Sequence, residues 1–294
     1  MSTAKKSAVS LAGLLELVET STIASIKGTV GGILTLISDP AATSADFIQF
    51  IQLDPPLAAK ILRVTNSSYY APTQTISDIH QALIWIGFDT LKEIILTQKM
   101  SELYGGGAPV DGYSRLLLWR HSLAVALLAK AIYSREFSEK ANSAYAAGLM
   151  HDIGVIVEDQ LLHQEFAQLV QTLGNTPQVL SVGEIAVFGF DHGMVGKGLA
   201  ENWNFPPELT EGIGFHHNPD GAREEHRLFA KTIFIADYLM SEHYGYVTMP
   251  PPDREILERH VKDIGLPWDV LQASVEQVRE DMEKIEQGGA YQVA

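Results

Sequence analysis

Cysteine does not occur in this chain of 294 residues, which excludes disulfides, thiolate chemistry and zinc-finger-type sites and leaves nitrogen and oxygen as the only strong metal donors. Basic residues are scarce: 21 Lys and Arg stand against 36 Asp and Glu, a formal net charge of −15. Nucleic-acid binding is driven by Lys and Arg displacing counterions, so a nucleic acid is not an expected partner. No apolar run approaches the roughly 20 residues a membrane helix needs. The first ten residues carry Lys5 and Lys6 without the apolar stretch of a signal peptide. These absences predict a cytoplasmic protein with no membrane partner. Strand-type alternation, tandem repeats and low-complexity segments are missing too. What remains is 46% hydrophobic residues in helical periodicity, enough to bury a sizeable core.

The periodicity predicts helices throughout. Leu11, Leu14, Leu15 and Val18 share a face between Ala8 and Val18, and a short helix is expected from Val30 to Ile37. Thr43 and Asp46 resemble a capping box before Phe47, Ile48 and Ile51. Asp54-Pro55 reads as an N-cap followed by proline at the first helical position. Asn66 and Ser67 end that helix by competing for backbone hydrogen bonds. Ser77 and Asp89 are the expected caps of the next two helices, with Gly87 stopping the first. Gly105-Gly106-Gly107-Ala108-Pro109 is the clearest break. Beyond it, Ser114 opens a helix apolar on nearly every face, the mark of a core helix, with His121 in its middle. Asp191 is expected to cap a helix carrying His192. Leu228 to Leu239 forms a last core helix with Asp237 on its apolar face, and Pro250-Pro251-Pro252 precedes one charged helical tail from Arg254 to Gln287.

The stretch Ala147-Gly148-Leu149-Met150-His151-Asp152-Ile153-Gly154 places an imidazole and a carboxylate side by side. Neighbours on a helix project about 100° apart, so both can serve one centre only if the helix end frays or other elements complete the shell. His121, His192, His216, His217 and Asp237 are the candidates, each predicted on a helix beside apolar residues. A buried imidazole or carboxylate without a partner costs several kcal/mol, so seven such groups need one another or a metal. His80, His163, His226, His243 and His260 fall outside this pattern.

The order His121, His151-Asp152, His192, His216-His217, Asp237 resembles the HD superfamily of metal-dependent phosphohydrolases, and most closely its HD-GYP branch. Leu53-Asp54-Pro55-Pro56-Leu57, Arg63 to Tyr69 with Asn66-Ser67, Ile76 to Gly87, and Asp191-His192 through Trp203 to His216-His217 are similar to an HDOD domain over residues 22–221. This resemblance implies that His121, His151, Asp152 and Asp237 hold one ion and His192, His216 and His217 a second, with Asp152 bridging as the catalytic carboxylate; Glu184, near His192 in sequence, is a candidate outer partner although it reads first as an ordinary surface glutamate. The resemblance implies two divalent ions, iron or manganese before zinc or magnesium, that activate water and clamp phosphoryl oxygens. The chain departs from the HD-GYP pattern at Val155, where lysine follows His-Asp-Ile-Gly, and after His217, where Gly-Tyr-Pro is replaced by Asn218-Pro219-Asp220. Arg120, Lys197, Arg223 and Lys231 are the cations that could replace that lysine, although each reads first as surface.

The expectation is therefore an all-α protein: an N-terminal helical lobe (1–108), an HD-type metal-binding lobe (109–245) and a C-terminal helical extension (246–294). Its expected role is a bacterial signalling module of the HDOD type acting on a signalling protein partner or a small phosphorylated ligand. The alternative is a phosphohydrolase acting on a nucleotide or cyclic dinucleotide. Oligomeric state is left open.

Overall fold

A computed structural model describes residues 9–39, 41–136, 141–174, 179–247 and 254–288. The described residues form helices and turns, with no strand and only isolated bridges joining Val110, Tyr113 and Val247. The first six helices are α1 (Leu11–Val18), α2 (Ala24–Ser38), α3 (Ser44–Gln52), α4 (Pro55–Thr65), α5 (Ile79–Ile86) and α6 (Phe88–Ser101). The next eight helices are α7 (Arg115–Glu136), α8 (Ala141–Met150), α9 (Ile153–Leu161), α10 (His163–Leu173), α11 (Leu180–Val187), α12 (His192–Asn202), α13 (Pro207–Gly214) and α14 (Arg227–Tyr244). The last two are α15 (Arg254–Asp263) and α16 (Trp268–Gly288).

Local chemistry accounts for most helix starts. Asp54 accepts from the Leu57 N–H at 3.0 Å and Asp191 from the Met194 N–H at 2.8 Å, each satisfying an amide that has no partner inside its helix. The Thr43 N–H donates to Asp46 at 2.8 Å, closing the expected capping box. Several expectations need correction. Asp78, not Ser77, caps α5, because its carboxylate reaches the Gln81 N–H at 2.9 Å. Asp89 lies inside α6, whose cap is Gly87 at φ +80°. The short helix from Val30 begins at Ala24 instead; Gly31 and Gly32 are tolerated inside it, with Trp203 and Phe50 close by. The tail is two helices, broken at Gly265 (φ +69°), Leu266 and Pro267. Pro250-Pro251-Pro252 lies outside the described residues.

The membrane expectation also changes. Arg115–Arg135 is, by length and composition, long and apolar enough to span a bilayer. It is the core helix: His121, Ser122, Leu123, Ala124, Val125, Ala126, Leu128 and Ala129 are buried, and α8 and α14 pack along it. Two glycines set the spacing of the core. A Cβ on Gly148 would stand 2.8 Å from the Ala126 Cα, so α7 and α8 meet backbone to backbone. A Cβ on Gly154 would collide with the carbonyl of His192, which fixes how closely α9 crosses α12.

Candidate metal centre

All seven predicted side chains converge. His121 projects from the middle of α7 and Asp237 from α14, while His192 is the first residue of α12. His151 and Asp152 occupy the turn between α8 and α9, and His216 and His217 the turn after α13, so neither adjacent pair is helical as expected. Leaving the helix at these points frees each neighbouring pair from the 100° step, and both members face inward.

The ligand atoms fall into two groups, His121, His151 and Asp237 in one and Asp152, His192, His216 and His217 in the other, each within 4.8 Å of one another. Asp152 touches both. Its Oδ2 lies 3.1 Å from His151 Nε2 and 3.7 Å from His121 Nε2. Its Oδ1 lies 3.2 Å from His192 Nε2 and 3.6 Å from His216 Nε2. Asp237 completes the first group, with Oδ1 3.1 Å from His121 Nε2, and turns Oδ2 toward His217 Nδ1 at 3.9 Å.

The outer nitrogens are held from behind. Nδ1 of His151 faces the Gly148 carbonyl at 2.7 Å, Nδ1 of His216 the Ile213 carbonyl at 2.7 Å, and Nδ1 of His192 the Glu184 carboxylate at 2.7 Å. An acceptor there keeps the proton on Nδ1 and leaves the lone pair on Nε2, the arrangement that orients a metal-binding imidazole. Glu184 also accepts from the His192 N–H at 2.9 Å. Ring nitrogens meet at 3.3 Å between His121 and His151 and at 2.7 Å between His192 and His217. Buried His216 Nε2 has no hydrogen-bond partner. Crowded lone pairs, an orphaned inward nitrogen and two shared carboxylates fit a nitrogen and oxygen metal shell.

Electrostatics point the same way. Burial disfavours ionised Asp152, but the facing His151, His192 and His216 outweigh it and hold the carboxyl well below its usual range. Asp237 is lowered likewise, by His121 and His151 against burial. Burial also opposes charge on His151, yet Asp152 and Asp237 push its pKa up to about 10. The pocket demands positive charge, which divalent ions can supply in place of protons.

Two contributors carried no sequence signal. Tyr246 is buried with its ring centre 5.3 Å from that of His121. Burial and then the charges of Asp152 and Asp237 hold its phenol well above 10, so it keeps its proton. Glu158 is buried behind Glu184; burial and the Glu184 charge hold its carboxyl well above the usual range. Their positions follow only from the packing of α9, α11 and the segment after α14.

The candidate substitute cations lie elsewhere. Arg120 pairs with Glu286 at 2.6 Å, Lys197 with Glu211 at 3.3 Å, Arg223 with Glu211 at 3.6 Å and Lys231 with Asp263 at 2.6 Å. Val155 is wholly buried. A third group, Asp220, His260 and Asp263, also has metal-type composition, but Lys231 lies 3.1 Å from Asp220 and Arg259 another 3.1 Å from it. That group is an ion-pair network joining α14 to α15.

Comparison with known proteins places this geometry in context. The HDOD domain family matches residues 23–219. A solved HDOD domain protein of unknown function from Geobacter sulfurreducens is 26% identical, covering 94% of this chain and 93% of its own, with a TM-score of 0.72. A candidate signal transduction protein from Marinobacter aquaeolei superposes with a TM-score of 0.76 at 23% identity, over 90% of this chain and 58% of its own. A candidate metal-dependent phosphohydrolase from Shewanella amazonensis gives 0.57 at 20% identity, over 92% and 97%. The latter two likenesses speak to the fold alone. An uncharacterized protein of Treponema pallidum is 24% identical over 207 residues, and the match spans 39% of its length.

Proposed function

The chain belongs to the HDOD family, and from that premise we propose that it is a regulatory module whose two ligand groups each hold a divalent ion, the ion pair serving as the binding site for a small phosphorylated ligand. The observation that carries this reading is the double role of Asp152, which turns Oδ2 to His121 and His151 and Oδ1 to His192 and His216. In this reading His121, His151 and Asp237 hold the first ion, His192, His216 and His217 the second, and Asp152 bridges. Such a pair supplies Lewis acidity and neutralises phosphoryl charge. Glu184 orients His192, while the Gly148 and Ile213 carbonyls orient His151 and His216. Iron or manganese suits the mixed imidazole and carboxylate shell, with zinc or magnesium as lesser fits.

A module is favoured over an enzyme because buried Val155 stands where the HD-GYP pattern has lysine, and because Arg120, Lys197, Arg223 and Lys231 are engaged in ion pairs with carboxylates outside the two ligand groups. Hydrolysis remains the second reading, favoured by a cavity that reaches Asp152, His192, His217 and Asp237. The deciding experiment is elemental analysis of the purified chain, followed by incubation of the metal-loaded protein with phosphodiesters. We expect two transition-metal ions per chain and no turnover. Absence of metal after reconstitution overturns the reading, and turnover that disappears with Asp152→Asn moves it to hydrolase.

A further inference from the structure

The cavity at the metal centre has a volume of about 420 Å³, within the range of small-ligand sites. Its lining divides sharply in chemistry. Apart from the centre itself and the hydroxyls of Ser181 and Ser241, its wall is largely apolar or aromatic, with Val182 of α11, Phe234 and Tyr238 of α14, Ile256 of α15, and Tyr246 between α14 and α15. No Lys or Arg lines it among the described residues, and Glu242 adds a further carboxylate. A run of phosphates is gripped chiefly by cationic side chains, a backbone nest or helix N-terminus, or metal charge. Here metal ions would be the only full positive charge, with the hydroxyls of Ser181 and Ser241 and the start of α11 as neutral polar neighbours, and the carboxylates of Asp152, Asp237 and Glu184 offset most of what two divalent ions carry.

Resting on the metal reading above, we propose that this cavity selects ligands with a single phosphoryl group on an apolar or aromatic body. The phosphoryl group belongs at the Asp152 end, and the body against Phe234, Tyr238, Val182 and Ile256. Glu242 disfavours a second phosphate by like charge, so polyphosphates and cyclic dinucleotides are poor ligands.

The test uses the full chain loaded with metal, its ions counted by elemental analysis on the same sample. Calorimetric titrations compare phenyl phosphate with inorganic phosphate, and AMP with ADP; where an ester is hydrolysed, KM replaces the binding constant. Phenyl phosphate should bind at least about tenfold more tightly than inorganic phosphate, from apolar burial of the ring, and AMP more tightly than ADP. Val182 and Ile256 are half-exposed at the rim, so Val182→Ser and Ile256→Ser leave the core intact and add no charge. Each should weaken phenyl phosphate severalfold and leave inorganic phosphate little changed, while Glu242→Gln should narrow the gap between AMP and ADP. With metal present, equal binding of phenyl phosphate and inorganic phosphate, or ADP binding as tightly as AMP, overturns the cavity assignment alone. A chain that takes up no metal overturns this inference together with the reading beneath it.

Discussion

The centre around Asp152 and the network of Asp220, His260 and Asp263 are both built from histidine and aspartate, and α14 serves each, through Asp237 in one and Lys231 in the other. Their difference lies in the counter-charge. At the network, Lys231 reaches Asp263 at 2.6 Å and Asp220 at 3.1 Å, and Arg259 reaches Asp220. The carboxylates there are already neutralised by the protein, at a partly solvated surface where such pairs contribute little. At the centre no Lys or Arg approaches the carboxylates among the described contacts, His151, His192 and His216 are fixed with Nε2 inward, and burial raises the cost of leaving the charge unmatched. Residue type alone does not separate a metal centre from an ion-pair network; the presence of a protein cation within reach does.

That contrast can be broken at either cluster. The largest effect is expected from replacing His151 and Asp152 together by Ala. This should strip the metal and remove the stabilisation that bound ions confer, about 4 kcal/mol at a thousandfold excess over Kd. It would be read as metal content and as a fall in Tm that chelation of the parent protein reproduces. Gly154→Ala forces α9 away from the His192 carbonyl, and urea unfolding should report a loss of about 3 kcal/mol. Glu184→Gln keeps an acceptor behind His192 but removes its charge, so competition with a chelator should show metal affinity lowered by about 10-fold to 100-fold. At the network, Lys231→Ala with Arg259→Ala should cost about 1 kcal/mol. It should also open Asp220, His260 and Asp263 to one additional, weakly held ion by calorimetry, converting the second cluster toward the first. The smallest effect concerns pH. Lys231 holds Asp263 below 3.8, and, against burial, it does the same for Asp220. A lowered folded pKa gives stability that is present above the ordinary carboxylate range and lost as pH falls through the folded values. A decline in Tm below about pH 3.8 that is shallower in the double variant, with the difference between the two flattened by salt, is the expected signature.

Much of this was legible from residue order. The caps Asp54 and Asp191 act through side chains a few residues from their targets, so sequence and structure agree. The seven centre residues stood out because imidazoles and carboxylates recurring beside apolar residues must satisfy one another, or a metal, once they are buried. Their placement in turns was not visible, since the exits of α8 at Met150 and α13 at Gly214 depend on where neighbouring helices allow the chain to bend. Tyr246 and Glu158 were missed for a related reason: a tyrosine near a helix end and a glutamate inside a helix look ordinary until packing buries them. The split of the tail at Gly265 was obscured by helix-favouring charge on both sides, and choosing Ser77 over Asp78 shows how adjacent caps compete until one carboxylate reaches an amide.

The scattering of the centre along the chain bears on how the protein is born. Its groups come from residue 121 through residue 237, on α7, two turns, α12 and α14, so no short stretch emerging from a ribosome holds even one complete set. Contacts this distant in sequence must await closure of long loops. A nascent chain ending before α14 lacks Asp237 and cannot finish either the first set of ligands or the wall of the adjoining cavity. Uptake of an ion at the first set, unlike the second set complete by His217, should therefore await α14, and its time course during refolding would date the moment when that helix docks.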